Sequence, residues 1–290
     1  MEDWAMTLVH EQGKSLSLPC PLKQYYAALL LIMGFFLTLV TSCGTLENGR
    51  GWGQDAIYPV NSKRISHSLY NACVDWQTLV PAGGAVVSSL DHFDGRVSVW
   101  ATGRNPIFGS MDSASRTANY LVGILQAEVL LTALVTPSGE DSTEWIYSKV
   151  KGLSVELGAE LVTAGATSGL KDISNRERPG GGGNSFPSGH SSAAFTNAAL
   201  ANRNLQYISM SDNLRFALEV GNVLLATATA WARVEANAHF LSDVLAGAAI
   251  GHFFGAFIHD AFMGLPEEKP FHVNVAPLRG GALVAFSFPF

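Results

Sequence analysis

Three short clusters carry the residues best suited to chemistry. Lys171 is followed after six residues by Arg178-Pro179, Pro187-Ser188-Gly189-His190 comes next, and Arg233 is followed after five residues by His239 and after three more by Asp243. Lys171, Arg178 and Arg233 are cations in segments otherwise poor in charge, and a guanidinium matches the oxygens of a phosphate in a fork. Ser188 stands just before the helical run SSAAFTNAALAN, where it is a natural N-cap. The free N–H groups at such a helix start receive an anion, and Gly189 keeps a side chain out of its way. His239 and Asp243 stand four apart, so on a helix they share a face. An aspartate holding Nδ1–H leaves Nε2 free as a nucleophile, and His190, on a different helix, is available to protonate a leaving oxygen. Taken singly, a His-x-x-x-Asp pair is more often a surface pair and a Pro-Ser-Gly-His a plain helix start. Together they describe phosphoryl transfer through a phosphohistidine.

The four glycines at 180–183 separate Arg178 from Ser188. As a bare composition they read as a linker. No Gly-Lys-Ser/Thr follows, so they are not a Walker-type phosphate loop. Placed between two arms of one site, they read as a joint with permissive backbone geometry. If His239 attacks as the neutral ring and His190 donates as the charged one, activity peaks between two histidine titrations, from acidic to neutral pH.

In this order and spacing the clusters resemble the type 2 phosphatidic acid phosphatase superfamily, whose core is shared with bacterial class A acid phosphatases and vanadium haloperoxidases. The resemblance implies that Lys171, Arg178, Ser188, Gly189 and Arg233 hold phosphate, that His190 protonates the leaving group, that His239 attacks phosphorus and that Asp243 orients His239. It implies an all-α helical bundle that hydrolyses phosphate monoesters or pyrophosphates, lipid phosphates foremost, with no cofactor and no metal. The family pattern usually has serine before the third-cluster arginine, where this chain has Ala232. Two other readings stay open: a vanadate-dependent haloperoxidase on the same fold, and a catalytically silent envelope lipoprotein.

The elements that must position these residues are helical. Apolar periodicity predicts helices near 114–136, 143–170, 189–203, 213–234 and 239–263. Residues 81–113 read as short helices and turns broken by Pro81, Gly83-Gly84, Gly95 and Gly103. Charged or polar residues such as Gln126, Glu128, Glu156, Glu160 and Glu219 interrupt the apolar patterns, and no run of 18 apolar residues is uninterrupted. The expectation is a bundle that packs its apolar faces inward. The tail 266–290 reads as two short strands around a Gly-containing turn.

The 290-residue chain is 48% hydrophobic and only 14% charged, against roughly 25% charged in a typical soluble domain. Its net charge of −6 supplies no basic stripe for nucleic acid. Residues 27–40, AALLLIMGFFLTLV, follow Lys23 and end at Val40-Thr41-Ser42-Cys43. That length suits a signal h-region better than a span of about 20 residues. The sequence before Cys43 resembles a lipobox, which implies a lipidated Cys43 and a periplasmic or outer-membrane-anchored protein. The expected organisation is a lipoprotein-type signal peptide (1–42), a tether (43–62), a helical phosphatase domain (63–265) and a hairpin tail (266–290). Cys73, the one thiol then left over, reads as a small buried residue.

Overall fold

The computed structural model describes residues 44–46, 49–56 and 61–263, together with the backbone of 272–278 and 281–287. Among the described residues eight α-helices follow in order: α1 (Ser62–Val74), α2 (Trp76–Ser89), α3 (Phe93–Arg104), α4 (Met111–Val135), α5 (Ser142–Ser174), α6 (Gly189–Leu205), α7 (Asp212–Glu235) and α8 (Leu241–Phe262). Six of them begin on an Asn, Asp or Ser whose side chain accepts a first-turn N–H: Asn61, Asp75, Ser110, Asp141, Ser188 and Ser211. Each cap satisfies a donor that the helix itself leaves without a partner.

The five long helices lie close to their expected limits. One difference matters: α8 starts at Leu241, so His239 precedes the helix rather than riding on it. Pro81, Gly83 and Gly84 do not break the chain either, because α2 runs through all three. Gly84 faces Leu245 of α8, and this packing outweighs the weak local propensity. The turn comes later, at Asp91 and His92, which take φ of 49° and 53°. Part of the expected tether is also packed. Trp52 and Ala56 are fully buried against Ala133, Val155 and Met263, and Trp52 N–H donates to Pro137 O at 2.7 Å. Cys73, expected inside, is exposed.

At the centre, α6 packs against α4, α5, α7 and α8. Its contact with α8 is close because Gly247, Gly251 and Gly255 face Ser188, Ser191, Ser192 and Thr196. Spacing small residues four apart lets two helix backbones approach. The core is accordingly made of small residues, with Ala114, Ala118, Ala194, Ala198 and Ala201 all buried.

Many large apolar side chains sit outside. Val87, Ile124, Leu161, Phe216 and Leu224 are each more than half exposed. This corrects part of the expectation of inward-packed apolar faces: Leu125, Leu200 and Leu205 are buried, but small residues fill the closest helix contacts and many bulkier ones lie outside. Among the described residues, α4 and α8 are long and apolar enough to cross a membrane, and only 28% of the apolar window of α4 is buried. In the tail, backbone strands β1 (His272–Leu278) and β2 (Gly281–Ser287) pair antiparallel, with Leu278 opposite Gly281. The segment 1–42 and Cys43 lie outside the described residues.

The α6–α8 contact yields a test. A Cβ on Gly251 would stand 2.2 Å from Ser192 O, a backbone atom that cannot turn aside. Gly251→Ala is expected to cost about 1–3 kcal/mol by overpacking. Gly158→Ala on α5, where a Cβ meets nothing within 4 Å, is expected to leave stability unchanged or raise it by up to about 1 kcal/mol. Chemical denaturation of the two variants beside the parent checks both signs.

Candidate functional site

The helices alternate in direction, so the C-terminal ends of α5 and α7 and the N-terminal ends of α4, α6 and α8 gather at one end of the bundle. Every residue singled out from the three clusters lies there. Lys171 is in the last turn of α5 and Arg233 in the last turn of α7. Arg178 follows α5, Ser188 caps α6, Gly189 and His190 open it, and His239 and Asp243 flank the start of α8.

The glycine tract closes this end as a tight turn. Arg178 N–H donates to Gly183 O at 3.2 Å, and Ser185 N–H donates to Arg176 O at 2.6 Å. Gly181, Gly182 and Gly183 take φ of 79°, 79° and 124°, which residues with a Cβ rarely adopt. Gly180 N–H donates to Asn237 O at 3.1 Å, tying the turn to the loop that carries His239. The tract is a shaped joint, as the placement of its flanks suggested.

The three cations surround the two histidines. Lys171 Nζ donates to Asn184 O and Ser185 O at 3.3 and 3.4 Å. Arg178 Nε donates to Asn184 O at 3.5 Å. Arg233 is 8% exposed, its Nη1 donates to Ser115 Oγ at 3.3 Å, and its buried Nε has no partner in the protein. Ser115, on α4, thus supplies a hydroxyl to this arginine where Ala232 has none. A Cβ on Gly189 would enter open space. These donors converge where an anion with several oxygens would satisfy them.

His239 is 2% exposed. Burial pushes its pKa down, and the charges of Lys171, Arg233 and Arg178 push it further, to about 2. The ring is therefore neutral at any physiological pH. His190 is also lowered, to about 4, by burial and then by Arg233, Arg178 and Lys171. Burial and the neighbouring cations thus favour its neutral ring. Its Nε2–H donates to Asn119 Oδ1 of α4 at 2.7 Å.

Asp243 does not touch His239 as expected. Oδ2 of Asp243 lies 3.9 Å from His239 Nδ1, beyond hydrogen-bond range. That oxygen instead accepts from Phe240 N–H at 2.8 Å and from the hydroxyl of Ser185. Oδ1 accepts from Arg176 Nη1 at 2.8 Å. Arg176 also donates through Nη2 to Asp94 of α3 at 2.6 Å and through Nη1 to Ser242 Oγ at 2.8 Å, and its guanidinium lies 4.1 Å over the Phe240 ring. The residues missed from the sequence are therefore Arg176, Ser185, Ser242, Asp94, Asn119 and Ser115. Arg176 and Ser185 adjoin the recognised clusters, so proximity was their only signal; Asp94, Asn119 and Ser115 are distant in the chain and had none. Among the described residues no group of three or more His, Cys, Asp or Glu side chains could hold a metal ion.

Residues 153–265 match the family model described as PAP2 superfamily. Lipid A 1-phosphatase from Porphyromonas gingivalis is 34% identical over 103 residues, which are 36% of this chain and 22% of the length of that relative. A crystal structure titled as the first transmembrane PAP2 type phosphatidylglycerolphosphate phosphatase, from Bacillus subtilis, aligns with a TM-score of 0.46 at 18% identity, covering 67% of this chain and 94% of the other. The matched segment 153–265 takes in all three clusters, with the C-terminal two thirds of α5 and the whole of α6, α7 and α8, and it is similar to the PAP2 superfamily.

Proposed function

We propose that this protein is a metal-independent phosphatase that hydrolyses a lipid phosphate at a membrane face through a phosphohistidine at His239. One observation carries the reading. A buried, neutral His239 and a second histidine, His190, stand under three converging cations at the anion-binding start of α6. Lys171, Arg178, Arg233 and the N–H groups after Ser188 hold the phosphate oxygens and balance the charge that builds up during transfer. His239 Nε2 forms the bond to phosphorus as the bond from phosphorus to the leaving oxygen breaks, and His190 gives that oxygen its proton. Water then attacks the phosphohistidine, His190 takes up the proton of that water, and phosphate leaves.

The exposed large side chains on α2, α4, α5 and α7 support a seat within a bilayer, with the site at one end of the bundle and hence at one face. A lipid phosphate headgroup reaches such a site without leaving the interface, and the name of the Porphyromonas gingivalis relative also describes a lipid phosphate. The run 27–40 and the lipobox-like Val40–Cys43 support export, with Cys43 lipidated and the site on the periplasmic side.

The deciding assay is phosphate release from phosphatidic acid and from a chromogenic monoester, with chelator present. Turnover is expected to resist chelator, to be inhibited by vanadate and to favour the lipid. His239→Ala is expected to reduce it to background, and His190→Ala to lower kcat about 10²–10⁴-fold. Chelator-sensitive release, or release that survives His239→Ala, would sink the reading.

The pH dependence has a defined sign. Bound phosphate brings negative charge among the cations that lower the pKa of His190, so it moves that pKa up from about 4. The kcat profile is expected to descend on the alkaline side with a midpoint above pH 4, and His190→Ala is expected to remove that limb. A limb unchanged in the variant assigns the proton to another group.

The bilayer seat is tested separately by Ile124→Lys, on the exposed face of α4. A lysine at mid-membrane costs about 2.5–3.5 kcal/mol in insertion. The variant is expected to lose co-flotation with liposomes, and unaltered flotation would place this face away from acyl chains.

A further inference from the structure

We infer that Ser185 is a positioning residue that links Asp243 to the nucleophile His239, so that the carboxylate acts on the histidine through a serine hydroxyl rather than directly. This inference rests on the reading of His239 as the nucleophile. Its basis is a count of lone pairs. A carboxylate oxygen has about two acceptor positions. Oδ2 of Asp243 fills them with Phe240 N–H at 2.8 Å and with the hydroxyl of Ser185. Oδ1 accepts from Arg176 at 2.8 Å. Oδ2, the Asp243 oxygen 3.9 Å from His239 Nδ1, thus has both positions filled by other donors.

The hydroxyl of Ser185 has donated its hydrogen to Asp243 and keeps its own lone pairs. It lies 3.5 Å from His239 Nδ1, fully buried, so water does not compete for it. Catalytic hydrogen bonds of this length in a ligand-free site tighten when substrate binds. Nδ1–H is then the donor, Ser185 Oγ the acceptor, and Nε2 carries the free lone pair that attacks phosphorus. As Nε2 bonds to phosphorus the ring gains positive charge, Nδ1 keeps its proton, and the negative charge of Asp243 is felt through the polarised hydroxyl. No proton leaves the histidine. The main-chain carbonyl of Ser185 also favours the protonated ring.

The surrounding structure is built to hold this hydroxyl in place. Ser185 N–H is tied to Arg176 O at 2.6 Å, and the side chain of that same Arg176 pins Asp243. One residue therefore sets both ends of the Ser185–Asp243 contact. Asp94 and Ser242 fix Arg176 in turn, with Ser242 Oγ donating to Asp94 Oδ2 at 2.5 Å.

The test uses the full chain in detergent micelles with ¹⁵N-labelled histidine. Ser185→Ala is expected to lower kcat about 10- to 100-fold with KM within about twofold, since binding groups are untouched and only ring orientation is lost. Ser185→Thr keeps the hydroxyl and is expected to recover most of the loss. In the parent, the ¹⁵N spectrum is expected to show His239 as the Nδ1–H tautomer, and in Ser185→Ala a mixture. A variant with kcat within twofold of the parent, or one tautomer in both proteins, would overturn the link. If the alanine variant does not accumulate, Ser185→Cys, with a weaker hydrogen-bonding group of similar size, is read by the same two criteria. The spectrum needs no substrate, so it decides the link even if phosphate release fails or survives His239→Ala, the outcomes that overturn the phosphatase reading instead.

Discussion

The close approach of α6 to α8 is the constraint on which the rest depends. Gly247, Gly251 and Gly255 present bare backbone to Ser188, Ser191, Ser192 and Thr196, and polar contacts lock the two helices at that distance. Ser188 N–H donates to Asp243 O at 3.0 Å, Ser191 Oγ donates to Val244 O at 2.5 Å, and Thr196 Oγ1 donates to Gly251 O at 3.1 Å. Larger residues at these glycines would push the helices apart, because a backbone carbonyl cannot rotate away as a side chain does. The approach brings the N-terminal start of α6 beside the loop that carries His239. Site geometry and core packing are thus one feature seen at two points along the same helix pair.

The second constraint is positive charge in a confined space. Lys171, Arg178 and Arg233 act together on both histidines and lower their pKa values. Such a cluster of like charges is mutually repulsive, and the buried Nε of Arg233 has no hydrogen-bond partner in the protein. Nearby, Arg176 lies in a different environment. It is paired with Asp94 and Asp243 and stacked on Phe240, so its charge is spent on structure rather than on ligand. Two arginines two positions apart in the chain, Arg176 and Arg178, differ in that only Arg176 meets the carboxylates of Asp94 and Asp243.

The distribution of apolar side chains follows from the same economy of space. A core of alanine, glycine, serine and threonine admits close helix contacts, and many of the bulky residues lie outside. In water such a surface would drive association; against acyl chains it is at no disadvantage. Packing small residues inward and large ones outward therefore answers both the need for a precise polar site and the need for a solvent-matched exterior.

Much of this was legible in the chain itself. Cap residues and apolar periodicity are local, so the long helices lie near their expected limits. The identities and order of Lys171, Arg178, Ser188, Gly189, His190, Arg233, His239 and Asp243 suggested that they gather, and the fold brings them to one end of the bundle. Local patterns could not reveal which face of each helix is buried, because helices with polar interruptions and small residues score alike whether they face a core or a lipid. They also suggested a direct His239–Asp243 contact from spacing alone. Tertiary structure decided otherwise: α8 begins after His239, and Ser185 arrives between the two from a loop 54 residues earlier. Asp94 reaches Arg176 across 82 residues. Partners set by the meeting of distant segments leave no trace in local spacing, since the contact exists only once the helices have packed.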